Sequence, residues 1–319
     1  MTQHGFVSTG WSLLPLPTMS ANRMPALSLA ASPGKRKTVI EAAVEAERLG
    51  FSGVYCPSFG DALGLCLSVA HSTATIGIGT AIQPIYFQHP NQLATQAAHL
   101  HEMSGGRFHL GIGVSHAPVL DRMKVETHKP LSDMRAYVAS LRAAEKQVGA
   151  LPPIVLATMR QKMLDLAIET ADGAIWANAA RSAMGPQLAT IPAEKSNFFV
   201  GDMIPTVIDE DSAAAAAVCR KTLTMYVSLP NYRNYWHDNG FAEEMDAIGA
   251  ALERGDREAL PGLMTERWLK EVVLYGSATE VRDGIEKWFD AGVTTPIIVA
   301  SSTTGGQAKA LSELFALYA

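Results

Sequence analysis

His116 closes the stretch GGRFHLGIGVSH, residues 105–116, in which Gly111-x-Gly113 follows an apolar run. Two glycines so placed open the dinucleotide fingerprint G-x-G-x-x-G, whose backbone cradles a pyrophosphate. Here, however, His116 occupies the position of the third glycine. A lone histidine is more often structural than catalytic. One that stands just past a strand end, where barrel enzymes gather their reacting groups, is a candidate proton or hydrogen-bond partner. A second candidate is ATMRQKM, residues 157–163, a strand end that opens a helix. Free N–H groups at such a start can bind phosphate, with Arg160 and Lys162 adjacent; an ordinary solvated helix start explains the segment equally well. His99-x-His101 has the residue types of a metal pair but falls within a predicted helix, where i and i+2 diverge. Surface or interface histidines are the better reading, and no metal site is expected. The aromatic stretch SLPNYRNYWHDNGF, residues 228–241 with Tyr232, Tyr235, Trp236 and Phe241, reads as packing more than as a pocket cover.

These residues need elements to hold them. Strand patterns fall at residues 5–9, 53–56, 75–82, 107–114, 152–158, 172–177, 198–208 and 295–301, nearly all separated by helical patterns. Gly50 ends one helix as a C-cap, Pro90 starts another, and Ser277-x-x-Glu280 is a capping box. Repeated β-α units imply a parallel sheet. Eight of them over about 300 residues suit an α/β fold of the (β/α)8 TIM-barrel type with insertions. The expectation is one domain, 1–319, with a helical insertion region at roughly 229–275. A doubly wound fold would carry its glycine fingerprint in the first β-α turn, not near the fourth strand.

The third and fourth strands, IGIGTAI (76–82) and LGIGVS (110–115), alternate bulky with tiny residues. Side chains alternate faces along a strand, so Gly77, Gly79 and Ala81 share one face, and His109, Gly111, Gly113 and Ser115 another. Barrel interiors are normally filled with bulky side chains. Small faces suggest room for a flat ligand at the barrel mouth; close helix packing on the outside is the plainer alternative.

Bulk properties narrow the class. The chain has 319 residues, is 48% hydrophobic and carries a formal charge of −5 with scattered basic residues, which argues against nucleic acid. Cys56, Cys66 and Cys219 form neither a disulfide framework nor a zinc motif, so a reduced, cytoplasmic setting is expected. The N-terminus lacks the pattern of a signal peptide. The most apolar stretch, 62–87, is broken by polar residues and glycines, against the roughly 20 apolar residues of a membrane helix.

Together, AERLGFSGVY, TIGIGTAIQPIYFQHPNQLATQAAHLHEMSGGRFHLGIGVSH and DAGVTTPIIV resemble the bacterial luciferase-like superfamily from about residue 36 onward. GRFHLGIGVSHAP, KMLDLA and LPNYRN…GF resemble its branch that uses the deazaflavin coenzyme F420. The resemblance implies a (β/α)8 barrel with a flavin or deazaflavin ring at the C-terminal mouth. It implies a non-proline cis peptide at Ala81–Ile82, its bulge backing the ring, and a phosphate-bearing tail reaching Ala157, Thr158 and Met159. It also implies a homodimer. The cofactor set is then Thr80, Ala81, Ile82, Gly113, Val114, Ser115, His116, Ala157, Thr158, Met159 and Arg160. His116 is the catalytic candidate, and Tyr86, Trp176 and Trp236 are the candidate substrate contacts. This sequence departs from the family in placing Pro57 and Ser58 where relatives carry an acidic residue and a histidine, and in the bulk of Met159 and Arg160. Residues 10–35 form a long segment read as a lid or interface arm.

The expected activity is hydride transfer between F420 and a small organic substrate. The alternative is an FMN monooxygenase, since a deazaflavin lacks the ring nitrogen that forms the oxygen adduct. A second alternative is a barrel that binds or assembles without catalysis.

Overall fold

The computed structural model describes residues 23–319. Ten strands are present among them: β1 (Ala26–Ser28), β2 (Gly53–Cys56), β3 (Gly77–Thr80), β4 (Gln83–Pro84), β5 (Phe108–Gly113), β6 (Ile154–Ala157), β7 (Gly173–Ala177), β8 (Phe199–Ile208), β9 (Leu274–Gly276) and β10 (Thr295–Ser301). Every pairing is parallel. The order β1-β2-β3-β5-β6-β7-β8-β10 returns to β1, closing an eight-stranded α/β barrel of the TIM type. The short β4 pairs beside β5, and β9 pairs beside the C-terminal end of β8.

The first barrel strand corrects the sequence reading. It is Ala26–Ser28, inside the segment taken for a lid or arm following an earlier strand. The expected strand at 5–9 lies outside the described residues. A three-residue strand carries almost no periodicity of its own; pairing with β2 and β10 makes it.

Local signals place the helices that brace the barrel. Asp61 accepts the Gly64 N–H at the start of Ala62–Ser72, Pro90 opens Pro90–Met103, and Ser277 and Glu280 form the reciprocal capping box of Ala278–Asp290. Five helices, Ser212–Val227, Pro230–Asp238, Ala242–Glu253, Leu260–Leu263 and Glu266–Val272, fill the interval between β8 and β9. Among the described residues no helix is long and apolar enough to cross a membrane.

Strand alternation separates two apolar regions. Val54, Ile78, Leu110, Ile112, Leu156, Trp176 and Ile204 face the helices. Ala26, Tyr55, Ala81, Val155, Ile175 and Ile297 fill the lumen, with Phe199 and Met203 against them.

Candidate active site

The glycine faces do point inward, but the chain itself occupies the room they leave. A Cβ on Gly79 would lie 2.6 Å from the Tyr55 ring, and one on Gly201 would lie 2.7 Å from Phe199. Tyr55, His109 and Phe199 form an aromatic plug, with Tyr55 Oη and His109 Nδ1 3.2 Å apart. Burial lowers the His109 pKa to about 4. The sequence reading missed this plug because it comes from three strands distant in the chain. The one available signal was that a glycine-rich face needs a bulky partner opposite.

Nearer the mouth, the segment after β3 folds over β5. A Cβ on Gly111 would sit 1.9 Å from the Thr80 carbonyl oxygen, and one on Gly113 would meet the Ile82 side chain at 2.7 Å. The Thr80 hydroxyl donates to the Gly111 carbonyl at 2.7 Å. The Ala81–Ile82 peptide is cis. The small residues of β5 therefore admit a backbone bulge of the protein itself, and that bulge reaches the lumen top through Ala81 and Ile82.

His116 follows β5 at the C-terminal mouth, after Ser115 in the left-handed region at φ 64°. It is half-buried, and burial lowers its pKa, leaving the imidazole neutral at pH 7. Neither ring nitrogen has a side-chain or backbone partner among the described residues. Its ring lies 5.7 Å from Tyr232 and 6.4 Å from Tyr226 between centroids. Behind these, Tyr232, Trp236 and Trp268 continue the contact at 5.5 Å and 4.9 Å. Tyr226 lies at the end of the alanine-rich helix Ser212–Val227, where no sequence signal set it apart.

The remaining expected site residues divide. Ala81, Ile82, Gly113, Val114, Ser115, His116 and Ala157 cluster at the upper ends of β3, β5 and β6. After β6, Arg160 is the uncapped N-cap of the helix Gln161–Thr170, the buried Thr158 hydroxyl has no partner, and Lys162 is exposed. An uncapped helix start flanked by two cations and an orphan hydroxyl fits a phosphate-bearing tail. Arg160 is held by Asp238 at 2.6 Å, and Gln187 donates to the Met159 carbonyl at 3.0 Å.

Trp176 and Trp236 do not join the mouth. Trp176 alternates with lumen-facing Ile175 and turns to the helix layer, and Trp236 is packed there with its Nε1 donating to the Asn178 carbonyl at 3.1 Å. Both are fully buried, which leaves no surface for substrate. Tyr86 borders a cavity of about 380 Å³ with Glu126, His128 and Tyr137, its hydroxyl donating to Asp133 at 2.6 Å. His99 and His101 lie on the helix Pro90–Met103. No cluster of metal-ligating side chains occurs among the described residues.

The family model described as luciferase-like monooxygenase matches residues 18–295. A 5,10-methylenetetrahydromethanopterin reductase of Methanolobus tindarius is 26% identical over 301 residues, covering 82% of this chain and 88% of the reductase. The coenzyme F420-dependent tetrahydromethanopterin reductase of Methanopyrus kandleri has a similar structure, with a TM-score of 0.72 at 19% identity over 92% of this chain and 97% of its own. An F420-dependent secondary alcohol dehydrogenase, solved with an F420-acetone adduct, has a TM-score of 0.67 at 16% identity over 92% and 98%.

Proposed function

The chain belongs to the luciferase-like monooxygenase family, and from that membership we propose that it is an oxidoreductase using the deazaflavin coenzyme F420 to move a hydride to or from a small organic substrate. Support comes from the F420-dependent enzymes among its structural relatives. The observation that carries the reading is His116, a neutral, half-buried imidazole without a protein partner at the mouth of β5.

When bound, the deazaflavin supplies the hydride chemistry. Ala81, Ile82, Gly113, Val114 and Ser115 would hold its ring, and Ala157, Thr158, Met159 and Arg160, with the helix start beyond them, its tail. A neutral His116 would take the proton from a substrate hydroxyl as the hydride leaves the carbon, and the resulting imidazolium would return it to the oxygen in the reverse direction. Tyr226 and Tyr232 fix its ring and exclude water from one side. Thr80 belongs to the support of this site, since its hydroxyl ties the bulge to β5.

The test is turnover of F420, followed by its absorbance, with a panel of small alcohols and ketones. The reading expects cofactor-linked turnover of some of them and its loss in His116→Ala. Oxygen consumption with reduced FMN, and no change in F420, would overturn it.

A further inference from the structure

We propose that Asp202, on the outer face of β8, is a positioning residue that sets His116 through the turn following β7. Asp202 alternates with lumen-facing Met203 and is fully buried among the helices. Its Oδ1 accepts the Ala179 N–H at 3.3 Å, while its Oδ2 has no partner. Ala179 follows Asn178, a buried residue in the left-handed region at φ 59°. Asparagine tolerates that conformation better than most residues, yet it persists only where neighbours enforce it.

The turn is held at three points. The Asn178 carbonyl accepts Trp236 Nε1–H at 3.1 Å, the Ala180 N–H donates to Tyr235 Oη at 3.2 Å, and the Ala179 N–H goes to Asp202. Two of these partners belong to the helix Pro230–Asp238, and Asp202 is the barrel's own. Trp236, bonded to the Asn178 carbonyl, lies against Tyr232 at 5.5 Å between ring centroids. Tyr232 in turn lies 5.7 Å from the His116 ring. A run of contacts therefore leads from the outer face of β8 to the mouth of β5. Burial raises the Asp202 pKa well above the usual carboxylate range.

An amide of the same shape presents the same acceptor oxygen to the Ala179 N–H. Asp202→Asn keeps the oxygen that receives Ala179; Asp202→Ala removes it. The experiment reads the His116 ring-proton chemical shift by NMR on the full chain without cofactor, together with the melting temperature. The tyrosine ring currents make that shift a reporter of ring placement. Asp202→Asn is expected to keep the wild-type shift, whereas Asp202→Ala and Asn178→Ala displace it. Ile204→Ala, a core truncation on the same face of β8, is expected to lower the melting temperature and leave the shift in place. In turnover, the one readout that rests on the proposed function, Asp202→Ala is expected to lose roughly 10- to 100-fold in kcat and Asp202→Asn less than about 3-fold. An unmoved His116 signal in Asp202→Ala, or in Asn178→Ala should Asp202→Ala not fold, overturns the proposal. An equal displacement in Ile204→Ala does so too. A displaced signal in a protein that does not turn over F420 would reject the proposed function alone.

Discussion

Gly111 and Thr80 meet so closely that a single methyl group cannot come between them: a Cβ on Gly111 would lie 1.9 Å from the Thr80 carbonyl oxygen. The same Thr80 anchors itself to the Gly111 carbonyl through its hydroxyl at 2.7 Å. The glycines of β5 therefore fit the bulge to the barrel.

Gly111→Ala and Gly79→Ala accordingly differ in severity. At Gly79 the obstacle is the Tyr55 ring, a side chain, and a cost of about 1–3 kcal/mol is expected, partly recovered in combination with Tyr55→Leu. At Gly111 the obstacle is backbone, so the loss exceeds that range or the protein fails to fold. Urea unfolding of the variants checks the order; equal losses would contradict it.

His109 makes stability depend on pH. Its pKa in the fold is about 4 because burial disfavours the charged ring, whereas in an unfolded chain it is about 6.5. As pH falls through 6.5 the unfolded state takes up the proton first, so stability drops between 6.5 and about 4 and is fully present above 6.5. The gap corresponds to about 3 kcal/mol. The difference in unfolding free energy between wild type and His109→Asn should shift by about that amount, against the wild type, between pH 7 and pH 4. Parallel pH curves would remove His109 from the account.

His116 is held neutral by burial. Its NMR titration midpoint should fall below 6.5, and the acid limb of kcat/KM should follow it. His116→Ala is expected to lower kcat by ~100-fold or more, the range for a lost acid–base group, with little change in melting temperature. Unchanged turnover would make His116 a packing residue.

Arg160 and Asp238 form an exposed pair, with side chains 56% and 49% accessible. Such pairs contribute little to stability. Asp238→Asn should leave the melting temperature within about 1 °C while freeing Arg160 for an anion, tightening cofactor binding about 2- to 5-fold at low salt and less at high salt. Titration at two ionic strengths decides; weaker binding would mean the pair orients Arg160 usefully.

Much of this architecture was legible in the chain. The β-α alternation, the small faces of β3 and β5 and the capping box at Ser277 are local, and local signals survive folding. The resemblance to relatives placed the cis peptide at Ala81–Ile82, where the structure has it. β1 was misplaced because three residues are too few to show a period. The room beside the glycines was assigned to a ligand, although Tyr55 and Ile82 fill it, because occupancy of a lumen is decided by strands far apart in sequence. Trp176 was taken for a substrate contact because alternation reveals two faces without saying which is inner. Asp202 and Tyr226 carried no motif; only the closing of the barrel gives them neighbours.

We propose that a deazaflavin binds at the mouth above β3, β5 and β6. Equilibrium titration of the purified protein with F420 and, in parallel, with FMN tests it most directly. Saturable F420 binding is expected, weakening when Gly113 is replaced by valine, with much weaker binding of FMN. Tight FMN binding with none for F420 would contradict it.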